Sequence, residues 1–540
     1  MTTFIVVLAL VAAWVLAFIG SPLIIWTVGA ALLIAALGLT GSIGPATLLV
    51  ASGVFIVVAL VLNVLPLRRA ILSNWIFALF KKVQPEMSST EREVLESGDI
   101  WWEAEMFRGR PDWEKLLSFQ YTRLTAEEQS FLDKDCEELC KLCDDWKIEY
   151  EQKDLPKAAW DYIARKRFFA MLIKKEYGGL GFSANAQSAV VTKLATKSIT
   201  LAVTVMVPNS LGPGELLMHY GTDAQRKQWL PGLVDGTQIP CFGLTGPEVG
   251  SDATAMPDVG YVGYGEHEGQ KVLGIRLTFS KRYITLAPVA TVVGLAFKLR
   301  DPDGLLGDKS KVDYGITCAL VPASHPDVHI GRRHYPGAAF MNGTIVGRDV
   351  FVPLDAIIGG PQMAGKGWRM LSECLSAGRG ISLPALSTAA GQIGYRMTGV
   401  YARFRRQFKV SVGKFEGVQE ATGRIGGFAY TLEAMRVMTA SAVEHCAPSV
   451  ATAMAKYHMT ELMRKVINDG MDVLGGKGIQ QGPRNFMATG YKATPVAITV
   501  EGANILTRNL MIYGQGAIRC HKYVFPEMEA ARADDVVRFD

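Results

Sequence analysis

The chain has 540 residues, a formal net charge of +5, and 49% hydrophobic and 20% charged side chains. This length is sufficient for about two or three domains with buried cores. The small and dispersed positive charge gives no reason to expect a nucleic-acid partner. The eight cysteines form no disulfide-like framework, which is typical of a protein from a reducing compartment.

The first part of the chain is apolar and carries no charge. No ionisable side chain precedes Arg68, and the apolar runs cover residues 3–19, 23–39 and 46–65. Each run is close to the ~20 residues that a helix needs to cross a bilayer. A secretory signal would have a basic n-region and one short apolar core, and this stretch has neither. We therefore expect residues 1–67 to be a transmembrane anchor with two or three helices.

Basic residues follow the apolar stretch directly. They are Arg68, Arg69, Lys81 and Lys82. Because positive charges favour the cytoplasmic side of a membrane, we expect the remainder of the chain to lie on that side. The polar, tryptophan-containing residues 68–123 are interpreted as a juxtamembrane connector.

Helical signals dominate residues 124–238. The Thr-Ala-Glu-Glu sequence at 125–128 has the form of a capping box that opens an amphipathic helix. Cys136, Cys140 and Cys143 have a spacing that could indicate a metal ligand set. The same spacing describes the apolar face of a helix, and no histidine lies nearby, so no metal site is predicted.

The composition changes at Ile239. Short β-rich runs, separated by turn residues, cover residues 272–279, 283–285, 289–297, 314–321 and 344–352. Such strands without intervening helices predict a small antiparallel sandwich or barrel over residues 239–360. Long helices return in residues 361–525, and residues 526–540 are interpreted as a tail. The predicted fold class is mainly α, with a central antiparallel β domain between a helical domain and a helical bundle.

A single carboxylate stands in an apolar stretch near the end of the chain. Glu501 is the only acid between Met487 and Gly516, and it lies between Val500 and Gly502. Desolvation by such neighbours would raise the pKa of the carboxyl towards the range that a general base needs. The glycine would let a substrate approach the backbone closely. Taken alone, the same pattern also describes a helix cap or a surface acid.

The sequence around Glu501 resembles a motif of a known protein family. Glu501-Gly502, followed by an apolar residue and then Arg508, resembles the catalytic signature of the acyl-CoA dehydrogenase family. Further matching segments occur in the family's order from Ile173 to Leu510. Together with the apolar N-terminus, they make membrane-anchored bacterial long-chain members the closest resemblance. The order of helices, sheet and helices in the family fold is the one that the residues predict.

The resemblance implies an activity and its partners. Glu501 is expected to remove the α-proton of a fatty acyl-CoA. The product is trans-2-enoyl-CoA, and the reaction is the first step of fatty-acid β-oxidation. Long-chain substrates are expected because they partition into membranes. The expected electron acceptor is an electron-transferring flavoprotein, and the expected assembly is a homodimer or a higher homo-oligomer. The expected location is the bacterial inner membrane, with the catalytic part on the cytoplasmic side.

The expected reaction needs a cofactor, because no amino-acid side chain accepts a hydride. A Rossmann fingerprint after a strand is missing, which argues against a nicotinamide cofactor bound in that manner. The resemblance implies FAD and assigns its binding to three separate segments. The expected cofactor-binding residues are Leu244, Thr245, Gly250 and Ser251 in the first segment, Tyr283 and Thr285 in the second, and Arg405, Phe408, Gln419, Gly475 and Gly476 in the third.

The expected substrate contacts come from the same resemblance. Arg379 matches a family arginine near the active site, and Ser251 and Gly502 are expected to contact the substrate as well. The first flavin segment departs from the family pattern. Gly246 stands where an acid is usual, and Glu248 stands where a glycine is usual, so this loop is expected to differ in shape from that of the family.

Two alternatives to the dehydrogenase stay open. An acyl-CoA oxidase would perform the same half-reaction and use molecular oxygen as the acceptor. A non-catalytic family member could serve as a membrane assembly or binding subunit. Retention of Glu501 together with the flavin segments favours an enzyme over the second alternative. The residues named above are shared by dehydrogenases and oxidases, and they discriminate poorly between those two.

Overall fold

The structure is a computed structural model that describes residues 2–107, 109, 111–210 and 212–540, without the side chains of Thr2, Ser89, Leu375, Ser376 and Ala377. The chain divides into two compact units. The first unit comprises Met1–Met87 and His521–Asp540, and the second comprises Ser88–Cys520.

Apolar helices open the first unit. They are Thr2–Phe18, Leu23–Leu39 and Pro45–Asn63, and the last two bury none of their residues. Within the described residues, Pro45–Asn63 alone is both long and apolar enough to cross a membrane, since the other two helices have 17 residues each. The Asn63 side-chain amide donates to the Thr27 hydroxyl at 3.0 Å. This polar contact joins the second helix to the third.

The first unit also contains helices that follow the apolar segment and helices from the C-terminal end of the chain. Its other helical segments are Leu65–Arg68, Arg69–Ser73, Asn74–Val83, Val524–Arg532 and Val536–Phe539. The Phe539 ring packs against Phe77, with ring centroids 5.1 Å apart. The Asp540 carboxylate pairs with Arg68 at 2.8 Å. Residues 526–540, interpreted from the sequence as a tail, are thus helical and attached by aromatic packing and ion pairs.

The second unit begins with mostly short helices. Their bounds are Ser89–Glu96, Ala104–Phe107, Trp113–Leu117, Ala126–Ser130, Cys136–Leu142, Lys157–Arg165, Ala184–Lys197, Ile199–Met206, Pro213–Tyr220 and Asp223–Asp235, with π-helical turns at Phe131–Asp135 and Lys147–Gln152. The predicted capping box between Thr125 and Glu128 is confirmed. Cys136 and Cys143 face the core, and burial raises the pKa of Cys143 to about 12.

The middle of the second unit is a curled sheet. Its strands are β1 (Pro240–Gly243), β2 (Val259–His267), β3 (Gln270–Thr285), β4 (Val292–Arg300), β5 (Asp313–Pro322), β6 (Val328–Arg333) and β7 (Asn342–Pro353). Their order is β1-β4-β2-β3-β7-β6, with β5 on the opposite edge of β4.

The sheet is mixed, so the prediction of an antiparallel domain is wrong in part. β2–β3, β3–β7, β4–β5 and β6–β7 pair antiparallel, whereas β1 and β2 both pair with β4 in parallel. β1 lies beside the first residues of β4 and β2 beside its last residues, so the two strands share one edge. The sequence pattern did not identify β1, β2 or β6, because they are short or rich in glycine and polar residues.

Helices form the last part of the second unit. Their bounds are Gly367–Phe404, Glu416–His445, Ser449–Leu474, Gly476–Ile479, Ala488–Thr499, Asn504–Leu506 and Gly516–Cys520, with a π-helical stretch at Thr507–Gln515. The sequence predicted long helices in residues 361–525, and the first of them runs without a break through Pro384. Leu383 and Ala385 are fully buried, and this packing offsets the backbone hydrogen bond that proline removes.

Candidate functional site

Glu501 lies in a turn between the helices Ala488–Thr499 and Asn504–Leu506. Glu501 and Gly502 both adopt a left-handed backbone, with φ values of +53° and +93°. This conformation is easy for glycine but costs roughly 1–3 kcal/mol for glutamate. The contacts around the turn therefore have to hold Glu501 in place. Its side chain is half-buried, and Oε2 has no hydrogen-bond partner among the described residues.

The surroundings of Glu501 shift its protonation equilibrium. Burial raises the pKa of the Glu501 carboxyl to about 7, although the charges of Arg379 and Lys456 lower it. A carboxyl with a pKa near neutrality is ionised often enough to take a proton, and it is basic enough to hold one. The expectation that apolar neighbours would raise this pKa therefore agrees with the environment that the structure shows.

Arg379 lies beside the Glu501 turn. It is 8% exposed, in the middle of the Gly367–Phe404 helix, and its Nε donates to the Glu501 carbonyl at 2.9 Å. A Cβ at the preceding Gly378 would lie 2.6 Å from the Ser210 carbonyl, so the helix passes very close to that segment. The structure thus brings Arg379 into contact with Glu501. The expected contact of Arg379 with the substrate stays a prediction.

Lys456 lies under the same turn and was not identified from the sequence. It is 0% exposed, and its Nζ donates to the Gly502 carbonyl at 2.6 Å and to Asn504 Oδ1 at 2.7 Å. Burial lowers the pKa of Lys456 to about 8, while the charge of Glu501 acts in the opposite direction. A lysine within the Ala- and Met-rich sequence 451–459 was the available signal, because a cation rarely lies on an apolar helix face without a partner.

The first two predicted flavin segments lie against each other. The Arg282 backbone N–H donates to the Thr245 carbonyl at 3.0 Å. The Lys281 ammonium donates to the Leu244 carbonyl, also at 3.0 Å. The loop that follows β1 is therefore fixed on β3. Further along this loop, Gly250 and Ser251 are exposed, and a side chain at position 250 would meet open space.

An ion pair buried in the sheet supports this loop. Lys281 Nζ lies 2.5 Å from Asp258 Oδ2, and both side chains are essentially inaccessible to solvent. Asp258 also accepts a hydrogen bond from the Ser280 N–H at 2.8 Å. Asp258 directly precedes β2 and Lys281 lies in β3, so the β2–β3 hairpin brings the two residues side by side. It was not predicted from the sequence.

Tyr283 lies where the register between β3 and β7 shifts, and Thr285 follows the shift as the partner of Asn342. Tyr283 has a φ of +60°, and its ring is 57% exposed with its centroid 5.1 Å from that of His334. The Asn342 side-chain amide donates to the Tyr283 carbonyl at 2.9 Å and to the Thr285 hydroxyl at 3.3 Å. Such irregularities re-aim side chains and are frequent next to active sites. His334 and Asn342 were both missed by the sequence analysis.

The third predicted flavin segment is spread over the C-terminal helices. Arg405 follows the Gly367–Phe404 helix, and Phe408 is 90% exposed at the tip of a short hairpin. Gln419 donates to the Gly413 carbonyl at 3.2 Å.

Gly475 and Gly476 follow the Ser449–Leu474 helix, and side chains at both positions would meet open space. Within the part of the chain that the structure describes, no hydrogen bond joins Arg405, Phe408, Gln419, Gly475 or Gly476 to the Leu244, Thr245, Gly250, Ser251, Tyr283 and Thr285 group. Ser251 likewise makes no described hydrogen bond to the Glu501 turn. The described hydrogen bonds thus connect Arg379 with Glu501 and Arg282 with Thr245.

Comparison with known protein families gives one match before the sheet in the sequence and one match after it. The profile described as "Acyl-CoA dehydrogenase, N-terminal domain" matches residues 123–237. The profile described as "Acyl-CoA dehydrogenase, C-terminal domain" matches residues 365–514. The second match contains the Glu501 turn, Arg379 and Lys456.

Curated relatives match parts of the chain. "Protein HemX" from Proteus mirabilis is 56% identical over 110 residues, which are 20% of this chain and 64% of that protein. "Probable acyl-CoA dehydrogenase FadE10" from Mycobacterium tuberculosis is 27% identical over 347 residues, which are 64% of this chain and 50% of that protein. The chain thus spans about half to two thirds of the length of these relatives.

A solved structure shows the same fold. Butyryl-CoA dehydrogenase from Megasphaera elsdenii superimposes with a TM-score of 0.63 and 22% sequence identity, over 74% of this chain and 100% of that one. At this identity the likeness concerns the fold alone. Together with the two domain matches, it leads to one conclusion: the chain belongs to the acyl-CoA dehydrogenase family.

Proposed function

We propose that the chain is a FAD-dependent dehydrogenase that converts a fatty acyl-CoA to trans-2-enoyl-CoA, the first step of fatty-acid β-oxidation. The observation that carries this proposal is the environment of the Glu501 carboxyl. Its carboxyl has a pKa of about 7, its Oε2 lacks a hydrogen-bond partner among the described residues, and it lies in the part of the chain that matches the family's C-terminal domain.

The residues of the chain fit the cofactor that this family uses, which is FAD. Gly250 and Gly475 leave open space where a side chain would stand, and the Tyr283 ring is exposed enough to contact a flat aromatic system. Thr285 offers a hydroxyl, and Arg405 offers a permanent charge suited to a diphosphate. When bound, FAD supplies the acceptor for the hydride that leaves the β-carbon.

The chain's own residues would act on the α-proton and on the thioester carbonyl. Ionised Glu501 takes the proton at its unpaired Oε2. The Glu501 backbone N–H supports the carbonyl oxygen as negative charge develops there. Arg379 and Lys456 hold the turn through the Glu501 and Gly502 carbonyls, so the carboxylate stays aimed at the substrate. Fixed geometry of this kind lowers the barrier because little reorganisation is needed during the reaction.

Replacing Glu501 tests the proposal. Glu501→Gln keeps the shape of the side chain and removes the base, so acyl-CoA should still bind while flavin reduction slows by roughly 10²–10⁴-fold. The measurement is anaerobic stopped-flow bleaching of the flavin absorbance. Glu268→Gln is the matched control, because Glu268 is also a glutamate with a left-handed backbone (φ +51°) but is exposed in the β2–β3 turn. Reduction of the Glu501→Gln protein at the rate of the control would refute the assignment.

We further propose that the enzyme is anchored in the bacterial inner membrane and acts on long-chain substrates from the cytoplasmic side. The absence of charge from residues 1–67 and the exposed apolar helix Pro45–Asn63 support the anchor. Removing residues 1–67 should release a soluble, flavin-containing enzyme, because the deletion keeps the contacts of Arg68 with Asp540. Loss of flavin or insolubility of the truncated protein would contradict this. Protease access to a C-terminal tag in inverted and intact vesicles tests the orientation.

The proposed electron acceptor is an electron-transferring flavoprotein rather than oxygen. Turnover in air should then yield little hydrogen peroxide, and an added electron-transferring flavoprotein or artificial dye should accelerate it strongly. Stoichiometric peroxide without stimulation by either acceptor would identify an acyl-CoA oxidase. Graded acyl-CoA lengths in the same assay give the chain-length preference.

A homodimer or higher homo-oligomer is the proposed assembly. The exposed aromatic rings of Phe404 (78%), Phe408 (90%) and Tyr430 (80%) support it, because such rings are frequent at protein interfaces. Sedimentation velocity of the truncated protein tests this part of the proposal. A monomer at micromolar concentration that retains its flavin would contradict it.

A further inference from the structure

The turn that carries Glu501 is held from two different helices. Arg379, in the Gly367–Phe404 helix, donates to the Glu501 carbonyl at 2.9 Å. Lys456, in the Ser449–Leu474 helix, donates to the next carbonyl, that of Gly502, at 2.6 Å. A non-glycine residue in the left-handed region persists only when its surroundings fix it. Two cations on successive carbonyls provide such a constraint.

Asn504 sets the second contact of Lys456. The Asn504 Nδ2 donates to the Thr460 hydroxyl at 3.0 Å and to Glu461 Oε1 at 2.8 Å, so its Oδ1 must face Lys456. Because Glu461 accepts only, this arrangement fixes the orientation of the amide. The Lys456 ammonium is therefore held by two neutral oxygens that both belong to the segment after Glu501, and among the described residues it forms no ion pair.

We propose that Lys456 is a positioning residue for Glu501, which holds the left-handed turn and favours the ionised form of the base. This inference rests on the proposed function. The charge of a buried cation that is bound to neutral oxygens still acts on other charges nearby. Here the nearby anions are Glu501, which interacts more strongly with Lys456, and Glu461. Lys456 thus acts through the geometry and the protonation of Glu501, without a contact to the substrate.

The interaction of Lys456 with Glu501 should make the reaction depend on pH. The charged groups that act on Lys456 are Glu501, Arg379 and Glu461. The pKa of Glu501 is raised to about 7 and that of Lys456 is lowered to about 8, so an ionised Glu501 beside a protonated Lys456 is most populated between these values. Since the two groups interact, both steps of the titration belong to the pair. Proton abstraction should therefore be greatest between about pH 7 and pH 8.

The test uses an acyl-CoA analogue with sulfur in place of C3, whose α-proton can be removed but which has no hydride to transfer. Formation of its anion beside oxidised flavin produces a long-wavelength absorbance band, and titrating the band against pH reports the apparent pKa of the base. In Lys456→Met this apparent pKa should rise by at least about one unit, because an opposite charge nearby typically shifts a carboxyl by 1–3 units. An unchanged pKa in folded, flavin-containing Lys456→Met protein would overturn the inference.

Controls separate this inference from the proposed function. Lys465→Met changes an exposed lysine on the same helix and should leave the titration unchanged. If Lys456→Met does not fold, Asn504→Ala is the second variant, because it removes one acceptor of the Lys456 ammonium. In Asn504→Ala the apparent pKa of the base should also rise, by a smaller amount. An unchanged apparent pKa in that variant would equally overturn the inference. If the unaltered protein forms no band at any pH, the proposed function fails, whereas a normal band that titrates identically in all variants refutes the role of Lys456 alone.

Discussion

Two fully buried lysines support the two halves of the candidate site, and they do so in different ways. Lys281, beneath the predicted flavin loop, faces the carboxylate of Asp258 at 2.5 Å. Lys456, beneath the Glu501 turn, faces the Gly502 carbonyl and the Asn504 amide. Both side chains are at most 1% exposed. The helical bundle thus contains a buried cation with neutral partners, whereas the sheet contains a closed ion pair.

The difference shows how the same residue type performs two functions. In the sheet, the charge of Lys281 is compensated by Asp258 at its side, so the pair acts mainly on the backbone of Leu244. In the bundle, no adjacent carboxylate cancels the charge of Lys456 within the described residues, and its field reaches Glu501. We infer that the sheet lysine is needed for the shape of the site, and that the bundle lysine is also needed for the protonation state of the base.

The largest effect is expected from breaking the sheet pair. Lys281→Met leaves Asp258 buried without its counter-charge, which should lower the free energy of unfolding by about 3–5 kcal/mol. Denaturant titration of the detergent-solubilised protein measures this loss. The flavin content should fall as well, because the Leu244 carbonyl loses its donor.

The double variant Lys281→Met with Asp258→Leu provides the control. Replacing both members of a buried ion pair by apolar residues is often nearly neutral, so most of the lost stability should return. If the single variant were as stable as the unaltered protein, the pair would carry no structural role, and the contrast with Lys456 would disappear.

The sequence yields predicted site residues where they form a motif that is contiguous along the chain. Glu501 and Gly502 were predicted because they stand together in a motif, and Thr245, Tyr283 and Arg405 were predicted in the same way. The structure then places Arg379, 122 residues before Glu501, in contact with its carbonyl. Residue spacing alone gives no such distance, and the family resemblance supplied the expectation.

The supporting residues were missed for a physical reason. Lys456 lies 46 residues before Gly502, and Asp258 lies 23 residues before Lys281, so neither pair forms a local pattern. Their role depends on tertiary packing, which periodicity does not report. The Thr125 capping box, by contrast, involves residues three positions apart and was predicted from sequence.

The fold shows the same division between local and non-local information. Long helices were recognised from their composition, but the continuity of Gly367–Phe404 through Pro384 depends on its buried neighbours. The parallel pairing of β1 and β2 with β4 joins segments distant in the sequence. Strand content could be predicted from β-rich runs, whereas the pairing partners could not.

Arg405 is an exposed cation that can be compared with the two buried lysines. Arg405 makes no side-chain hydrogen bond among the described residues, so Arg405→Ala should change the free energy of unfolding by less than about 0.5 kcal/mol. Retention of flavin during dialysis should nevertheless weaken by about tenfold, the loss of one charge-assisted contact to a diphosphate. The loss should be larger in dilute protein if the contact crosses subunits. Undiminished flavin occupancy would show that Arg405 is a surface charge without a role in binding.

The last expected effect separates the influence of burial on Glu501 from that of the cations Arg379 and Lys456. The pKa of its carboxyl is raised from 4.5 to about 7, so ionisation destabilises the folded state progressively as the pH rises between these values. Glu501→Gln cannot ionise, and above pH 7 it should be more stable than the unaltered protein by about 1–2 kcal/mol, less than the full shift implies because the side chain is only half-buried. At pH 4 the two proteins should unfold alike. Denaturant titrations at several pH values measure this difference, with Glu268→Gln as the exposed control. A Glu501→Gln protein that is less stable at pH 8 would show that Arg379 and Lys456 outweigh burial, and Lys456 would then resemble the sheet lysine in forming a stabilising ion pair.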